Sequence, residues 1–360
     1  MHMKNRLIIG AGNKLPLLQH FIQSDFPSGV TVIDPTGALA EAVADSIPEQ
    51  YETEVFYFDP SDTKHVASFN VFSAVLKPDR SKLVEDLFAF FDVVSSAGQD
   101  TLTRRNGNSV LKNVLTILLD NENVSFLSVL DFLSDKTFRG ACLRKCDNPM
   151  ALRNWHAIEG WDKTLRDSAF TFVETLVGDM LLPPVMYRTL QRPPSTFSPT
   201  KTTIFIANLS RQRIGDSASK LLGTLLISRA KTPVYINDFG FFTSDYIASL
   251  FSQGGYTVAL QFLSELPKTV EQTVLGFPEK YVYRTTLEDA DKLKFGVGVS
   301  NPSILVDLSP EEFLPKVELD APLAKKRFKA VRKRSIACHT RPANKVKAPA
   351  IKRSTTQGSW

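Results

Sequence analysis

The feature that most constrains this chain is a series of short, continuously apolar runs, each ending at a turn and followed by residues with helical periodicity. Three of these runs lie near the start of the chain, within residues 7–14, 30–34 and 55–60. Strands without polar alternation must be buried on both faces, which is typical of a parallel sheet covered by helices on either side. The sequence therefore predicts an α/β protein.

The pattern changes between residues 81 and 190, where apolar residues recur three and four positions apart, as in helices. Proline-rich segments close this stretch, because proline cannot continue a helix and biases the preceding residue towards extended geometry. The alternation of strand and helix then resumes. Further strands are predicted within residues 203–209, 233–239, 256–262 and 279–284. The predicted sheet is thus split in sequence by an all-α insertion.

Charge is distributed unevenly along the chain. The net formal charge is +5, yet residues 321–360 hold twelve Lys/Arg and no acidic residue, which leaves 31 basic and 38 acidic residues in 1–320. The tail is poor in large apolar residues and interrupted by prolines, so we expect it to be disordered when free. Its basic cluster at 325–353 can bind nucleic acid, an anionic membrane or an acidic partner; a purely solubilising role is the alternative.

Composition excludes several classes of protein. With 43% hydrophobic and 22% charged residues, the chain has a globular composition. No apolar run approaches the ~20 residues of a spanning helix, and the start does not resemble a signal peptide, so we expect a cytoplasmic location. The cysteines lack zinc-site spacing and are expected to be free thiols; they are Cys142, Cys146 and Cys338.

Polar residues follow the predicted strands. Ligands of open α/β sheets bind at the carboxyl ends of the strands, so these positions are the candidates for a site. They are Gly10 to Lys14, Asp34, Asp59, Asn208, Asn237, Asp238, Gln261 and Arg284.

The first strand ends in G-A-G-N-K-L, which holds part of a phosphate-binding loop. Such a loop needs glycines so that backbone N–H groups can wrap the phosphates, a lysine to contact them, and Ser/Thr to hold Mg²⁺. Gly10, Gly12 and Lys14 are present, whereas Asn13 replaces the glycine before the lysine and Leu15 replaces the hydroxyl. A glycine turn with an exposed lysine is the alternative interpretation.

Several further segments resemble, in order, the TraG-like conjugative coupling proteins of the HerA/FtsK superfamily. V-I-D-P-T-G-A-L-A (32–40) is similar to the family's D-P-H-G-D-L-A, and V-F-Y-F-D-P-S-D-T (55–63) to its Y-F-D-P-A-D. I-A-N-L-S-R-Q-R-I-G (206–215) resembles its N-L-S-x-G-R-I-G, and Y-R-T-T-L-E-D-A (283–290) its F-R-x-x-x-E-D-A. The similarity extends over about residues 7–293 and includes a helical insertion at the family's position.

This resemblance implies a RecA-like P-loop NTPase core with a mostly parallel sheet, interrupted by the all-α insertion and followed by a disordered basic tail. The expected regions are 1–76 and 197–318 for the two parts of the core, 77–196 for the insertion and 319–360 for the tail. The resemblance also implies ATP and Mg²⁺ as cofactors and DNA as a partner. A hexameric ring of identical chains, or one with partner ATPase subunits, would follow, with a membrane or capsid complex reached through a partner.

The resemblance carries roles over to individual residues. The nucleotide-binding loop would comprise Gly10, Ala11, Gly12, Asn13, Lys14 and Leu15. Asn237 and Asp238 stand where the family has the Walker B pair D-E, so they are the candidate metal ligands, and Asp238 is the candidate catalytic base. The alternative for Asp238 is capping of the turn that follows.

Two further catalytic candidates follow the later strands. Gln261, in L-Q-F-L-S-E-L, matches the family's glutamine, which suits it to hold a water or sense the γ-phosphate; a strand-end amide that satisfies loop backbone is the alternative. Arg284, and more weakly Arg211 and Arg213, could reach a neighbour's nucleotide as an arginine finger, although surface arginines are common.

The departures from the family concern turnover more than fold. An amide holds a metal-bound water less strongly than a carboxylate, and aspartate reaches less far than glutamate. The sequence predicts a divergent DNA-translocase-type ATPase subunit for DNA transfer, packaging or segregation, with weak or absent hydrolysis. The alternative is a catalytically inactive pseudo-ATPase that acts as a structural or DNA-recruiting component.

Overall fold

The computed structural model describes residues 4–64, 67–72, 80–94, 101–191 and 204–316. The predicted basic tail and Cys338 lie outside these residues. Within them, one eight-stranded sheet carries helices on both faces, which confirms the predicted α/β class.

The sheet is mostly parallel. Its strands are β1 (Arg6–Ile9), β2 (Val30–Asp34), β3 (Val55–Phe58), β4 (Ile204–Asn208), β5 (Val234–Ile236), β6 (Tyr256–Leu260), β7 (Glu279–Tyr283) and β8 (Phe313–Lys316). Their order across the sheet is β3-β4-β2-β5-β6-β1-β7-β8, and only the β7–β8 pair is antiparallel. Consequently β6 separates β1 from β5, and all three end at the same edge.

The helices follow in chain order. They are α1 (Leu15–Asp25), α2 (Ala38–Ala44), α3 (Arg80–Val94), α4 (Thr101–Leu118), α5 (Leu127–Ser134), α6 (Lys136–Lys145), α7 (Pro149–Glu159), α8 (Lys163–Leu181), α9 (Pro184–Leu190), α10 (Arg211–Ile214), α11 (Asp216–Arg229), α12 (Asp245–Leu250), α13 (Lys268–Leu275), α14 (Leu287–Leu293) and α15 (Ser303–Val306). Helices α3 to α9 lie between β3 and β4, as the change of periodicity predicts.

The two faces of the sheet belong to different hydrophobic clusters. In β1, Leu7 and Ile9 face one cluster and Ile8 faces the other, and all three side chains are fully buried. Helix α1 covers the Ile8 face through Leu18 and Ile22. Because alternate residues point to opposite faces, burial on both sides explains why the strand sequences lack polar alternation.

The helical insertion continues the cluster on the opposite face. Its central helices, α4 and α8, pack along each other where Gly107 meets the Phe172 ring. Trp155 of α7 is 2% exposed and lies with its ring centroid 4.8 Å from that of Phe132 and 5.9 Å from that of Phe170. These residues share one continuous hydrophobic cluster with strand residues such as Leu7. The insertion is packed onto the core through α3 and α9, which contact helices α11 and α12.

Strand β8 has no strand signal in the sequence. Its residues F-L-P-K include a proline, which cannot donate to a sheet ladder and argues against a central strand. The strand lies at the sheet edge, where proline is tolerated, and pairs only with β7. Its formation depends on the presence of β7, which the local sequence does not reveal.

The structure bears out the expected state of two cysteines and shows which helices approach the length and hydropathy of a membrane span. Cys142 and Cys146 are buried free thiols, as expected, and burial raises the pKa of Cys146 to about 11. Across the described ranges, no single helix is long and apolar enough to cross a membrane; α8 and α9 pass such a test only as a pair bent by 100°.

The α4–α8 contact generates a test of packing. A Cβ added at Gly107 would overlap the Phe172 ring, so Gly107→Ala should lower the free energy of unfolding by about 1–3 kcal/mol despite the better helix propensity of alanine. Gly178→Ala in α8 is the matched control, since an added Cβ there has no neighbour within 4 Å. It should raise the free energy of unfolding by about 0.5–1 kcal/mol. Urea unfolding measures both, and equal effects would contradict the packing.

Candidate functional site

The loops that follow β1, β6 and β5 meet at the carboxyl edge of the sheet. Parallel pairing of β6 with both neighbours brings residues 10–14, 261–265 and 237–242 side by side. This edge is where ligands of open α/β sheets bind. The structure therefore brings most of the sequence-predicted site residues to one place.

Three backbone N–H groups of the loop after β1 donate to carbonyl oxygens of the same chain. The bonds run from Gly10 to Leu260 (3.3 Å), from Ala11 to Arg284 (2.7 Å) and from Asn13 to Pro310 (3.4 Å). The N–H of Leu15 donates to the Asn13 side-chain oxygen at 3.3 Å. A phosphate-binding loop needs such donors to converge on its ligand. Here they hold the loop against β6, β7 and the segment before β8.

The same loop is short, and its glycines serve close packing. Gly10 and Lys14 are four positions apart, whereas the glycine and lysine of G-x-x-x-x-G-K are six apart. Gly10 has a φ of +119°, and a Cβ there would lie 2.8 Å from the Tyr283 carbonyl group. A Cβ at Gly12 would overlap the Tyr283 ring. The need for glycine at both positions is thus explained by contact with β7.

Lys14 turns back onto its own loop. Its Nζ donates to the Gly10 carbonyl oxygen at 2.7 Å. Burial lowers the pKa of Lys14 below its ordinary value, while the carboxylates of Glu265 and Asp238 counteract this effect. Both carboxylates therefore act electrostatically on the ammonium group, which donates its hydrogen bond to the Gly10 carbonyl.

Asn237, a candidate metal ligand, donates hydrogen bonds to a buried carboxylate and to a hydroxyl beside it. Its Nδ2 donates to Asp34 Oδ1 at 3.0 Å and to Thr36 Oγ1 at 3.3 Å. Asp34 is fully buried and also accepts hydrogen bonds from the Thr36 N–H and hydroxyl and from the Ala40 N–H at the start of α2. The amide thus joins the end of β5 to the turn after β2. Asp34 caps its turn, as expected for a D-P sequence.

Asp238, the other candidate metal ligand and candidate base, lies in a left-handed backbone conformation with φ of +50°. Aspartate is among the few non-glycine residues that adopt this conformation readily. Its Oδ2 lies 3.3 Å from Arg211 Nη2, and the Arg211 guanidinium stacks over Phe241 at 4.7 Å. Asp238 is therefore held in an ion pair within the chain.

The arginine-finger candidates differ in their contacts. Arg213 pairs with Glu41 at 2.9 Å and with Asp59 at 3.2 Å. Arg284 contributes its carbonyl oxygen to Ala11, whereas its side chain is exposed. Gln261, directly after β6, is also exposed. The structure thus leaves the Arg284 and Gln261 side chains directed to solvent.

Glu265 belongs to this edge, although sequence reasoning assigned it no role. Its Oε1 accepts the Phe262 N–H at 2.9 Å, and its Oε2 lies against Gly240, where a Cβ would overlap it. Burial raises the pKa of Glu265, the Asp238 carboxylate adds to this effect, and Lys14 opposes it. An acidic residue in the loop after the strand beside β1 was the only signal in the sequence.

The side chains at this edge do not fit a Mg²⁺ site. Leu15 supplies no hydroxyl, and the Asn237 amide is directed to Asp34. Among the described residues, no group of three or more His, Cys, Asp or Glu is arranged to hold a metal ion. Oxygen ligands from several side chains or a substrate phosphate are what Mg²⁺ requires in proteins. We therefore assign no metal to Leu15 or Asn237.

No family model and no curated protein sequence matches this chain. Its structure is similar to that of the unbound bacterial conjugative coupling protein TrwB, with a TM-score of 0.60 and 12% identity over 91% of this chain and 85% of that chain. TrwB in complex with ADP and Mg²⁺ gives 0.58 and 13% over 91% and 87%.

A further similar structure is VirB4 of Thermoanaerobacter pseudethanolicus, with a TM-score of 0.56 and 14% identity over 87% of each chain. These similarities confirm the RecA-like P-loop fold that the resemblance to coupling proteins implied. At such identities they establish the fold alone.

The Asn237–Asp34 contact generates a test of the site. Asn237→Asp would place a second carboxylate 3.0 Å from Asp34, so it should lower the free energy of unfolding at pH 7 by about 1–3 kcal/mol more than Asn237→Ala does. Repulsion raises the pKa of the introduced carboxyl in the folded state, so the extra penalty is present above its unfolded pKa of ~3.9 and disappears as the pH falls. Urea unfolding at pH 7 and pH 4 measures this. Equal stability of the two variants at pH 7 would contradict the pairing.

Proposed function

We propose that this chain is a subunit of a DNA-transfer apparatus of the type IV secretion kind, which keeps the ATPase fold without turning over nucleotide. The observation that carries this proposal is the loop after β1, whose N–H groups at Gly10, Ala11 and Asn13 are bonded to carbonyl oxygens of the same chain. The fold shared with the conjugative coupling protein TrwB, and with VirB4, supports a role in DNA transfer.

The geometry around the loop supports loss of turnover. Binding of phosphates would require the loop to break these backbone bonds and to separate from the Tyr283 ring. Hydrolysis also needs a positioned base and charge stabilisation at the transferred phosphoryl group. Asp238 is engaged by Arg211, and Asn237 by Asp34. ATP and Mg²⁺ are therefore cofactors of the fold's relatives that this chain has little means to use.

The distribution of charge supports a role in handling DNA. Residues 1–320 carry more acidic than basic residues, whereas the tail at 325–353 concentrates Lys/Arg. Contacts with DNA phosphates would then come chiefly from the tail. In this proposal the folded part assembles with identical chains or with partner ATPase subunits in a ring, and reaches a membrane or capsid complex through a partner.

A second candidate function is a divergent motor that hydrolyses ATP. It is favoured by the position of Lys14, Asp238 and Glu265 on adjoining loops at the carboxyl edge, because a lysine and an oriented carboxylate are parts that phosphoryl transfer uses. The two candidates differ in one measurable property, which is turnover that depends on Lys14.

The first test is ATP turnover by the full chain with and without DNA. We expect no difference between the wild-type protein and Lys14→Ala, because the N–H groups of Gly10, Ala11 and Asn13 donate to carbonyl oxygens of the chain. Lys64→Ala, at an exposed position after β3, is the control for the loss of a lysine elsewhere. DNA-stimulated turnover that Lys14→Ala abolishes and Lys64→Ala leaves unchanged would refute the silent-subunit proposal in favour of the motor.

The second test concerns the tail. Deletion of residues 321–360 removes twelve basic residues and should weaken DNA binding at low salt by at least about tenfold, with a flatter dependence on salt. Deletion of 354–360 is the control, since this segment holds no charged residue. Fluorescence anisotropy with a labelled oligonucleotide measures both. Equal affinity of the two truncated proteins would place DNA binding elsewhere.

A further inference from the structure

Charged side chains from neighbouring loops converge at the carboxyl edge of the sheet. Lys14 follows β1, Glu265 follows β6 and Asp238 follows β5, and β6 lies between the other two strands. Arg211 joins them through its ion pair with Asp238. These two cations and two carboxylates, of which Lys14, Glu265 and Asp238 lie on adjoining loops, are named the edge cluster below, and their formal charges cancel.

Glu265 is held between two loops. Its Oε1 accepts the Phe262 N–H at 2.9 Å, which ties the side chain to the loop after β6. Its Oε2 lies against Gly240, two residues beyond Asp238 in the loop after β5. A Cβ at 240 would overlap the carboxylate in this position, so glycine lets it pack against the loop after β5. The carboxylate is thus fixed in place beside the first loop.

Lys14 is fixed on the other side of the edge cluster. Its Nζ donates to the Gly10 carbonyl, and the Gly10 N–H donates to the carbonyl of Leu260, the last residue of β6. The ammonium is thereby anchored over the junction of β1 and β6, where the loop carrying Glu265 begins. The electrostatic coupling agrees, since the Glu265 and Asp238 carboxylates both act to raise the pKa of Lys14 against the effect of burial.

We propose that Glu265, assisted by Asp238, is an internal counterion that takes the electrostatic place of a phosphate opposite Lys14 and excludes anions from this edge. The proposal deepens the closed site described above and rests on it. An anion that approaches Lys14 meets two fixed carboxylates, so Coulomb repulsion opposes its binding even where the backbone could adjust. The edge cluster is thus a phosphate-type site in which carboxylates of the chain supply the negative charge.

A purely structural role of Glu265, as a cap of the turn at 262–265, is the competing explanation. The two roles separate under Glu265→Gln. Glutamine keeps an oxygen that can accept the Phe262 N–H and keeps the shape of the side chain, while it removes the charge. A cap survives this change, whereas a counterion does not.

The experiment measures binding of inorganic phosphate to the full chain by isothermal titration calorimetry. Glu265→Gln should bind phosphate about tenfold more tightly than the wild-type protein, which corresponds to ~1.4 kcal/mol. Glu49→Gln is the matched control, because it removes the same charge at an exposed position before β3, at the opposite edge of the sheet. It should leave phosphate affinity unchanged.

Adding Lys14→Ala to Glu265→Gln should abolish the gain, which locates the anion at Lys14. Asp238→Asn gives an independent measurement and should also increase phosphate affinity. Equal affinity of Glu265→Gln and Glu49→Gln, or a gain that persists without Lys14, would overturn the proposal. ATP turnover by the wild-type protein refutes the silent-subunit proposal, whereas unchanged phosphate binding in a folded Glu265→Gln protein refutes the counterion.

Discussion

Burial of both faces of one parallel sheet is the constraint on which the rest of this structure depends. Because strands such as β1 are apolar on both sides, polar chemistry is confined to their ends, and parallel pairing gathers those ends at one edge. The sheet order then decides which loops become neighbours. Because β6 lies between β1 and β5, the loop after β1 adjoins the loop that carries Glu265. The loop that carries Asp238 lies one strand further away.

The repeated unit of strand and helix was predictable from sequence, because burial on two faces leaves an unmistakable apolar run at strands such as Val30–Asp34. The contacts of the site were less predictable. The loop after β1 is closed by carbonyl oxygens of Arg284 and Pro310, nearly three hundred residues away, and only the folded sheet brings them near. The direction of the Asn237 amide likewise depends on Asp34 in another strand.

At the carboxyl edge of the sheet, residues that depart from the Walker motifs, such as Asn13 and Asn237, form hydrogen bonds within the chain. A backbone N–H that donates to a carbonyl of its own chain is satisfied, so the Gly10, Ala11 and Asn13 donors need no ligand to complete them. The same holds for Asp34, whose oxygens bind the turn, helix α2 and Asn237. The residues that depart from the Walker pattern at 13 and 237 therefore take part in hydrogen bonds that hold this edge together.

The hydrophobic cluster that runs without interruption from Leu7 of β1 to Trp155 of α7 has a consequence for how this architecture could have been assembled. A helical unit inserted between two strands gains a fixed position only when its apolar surface packs against an apolar surface of the core. Here the packing is continuous, since Ile33 of β2 and Val114 of α4 belong to the same hydrophobic cluster. Excision of the insertion would expose the apolar surfaces of α11 and α12 that α3 and α9 cover, so the remaining core would need new side chains at those surfaces to stay soluble.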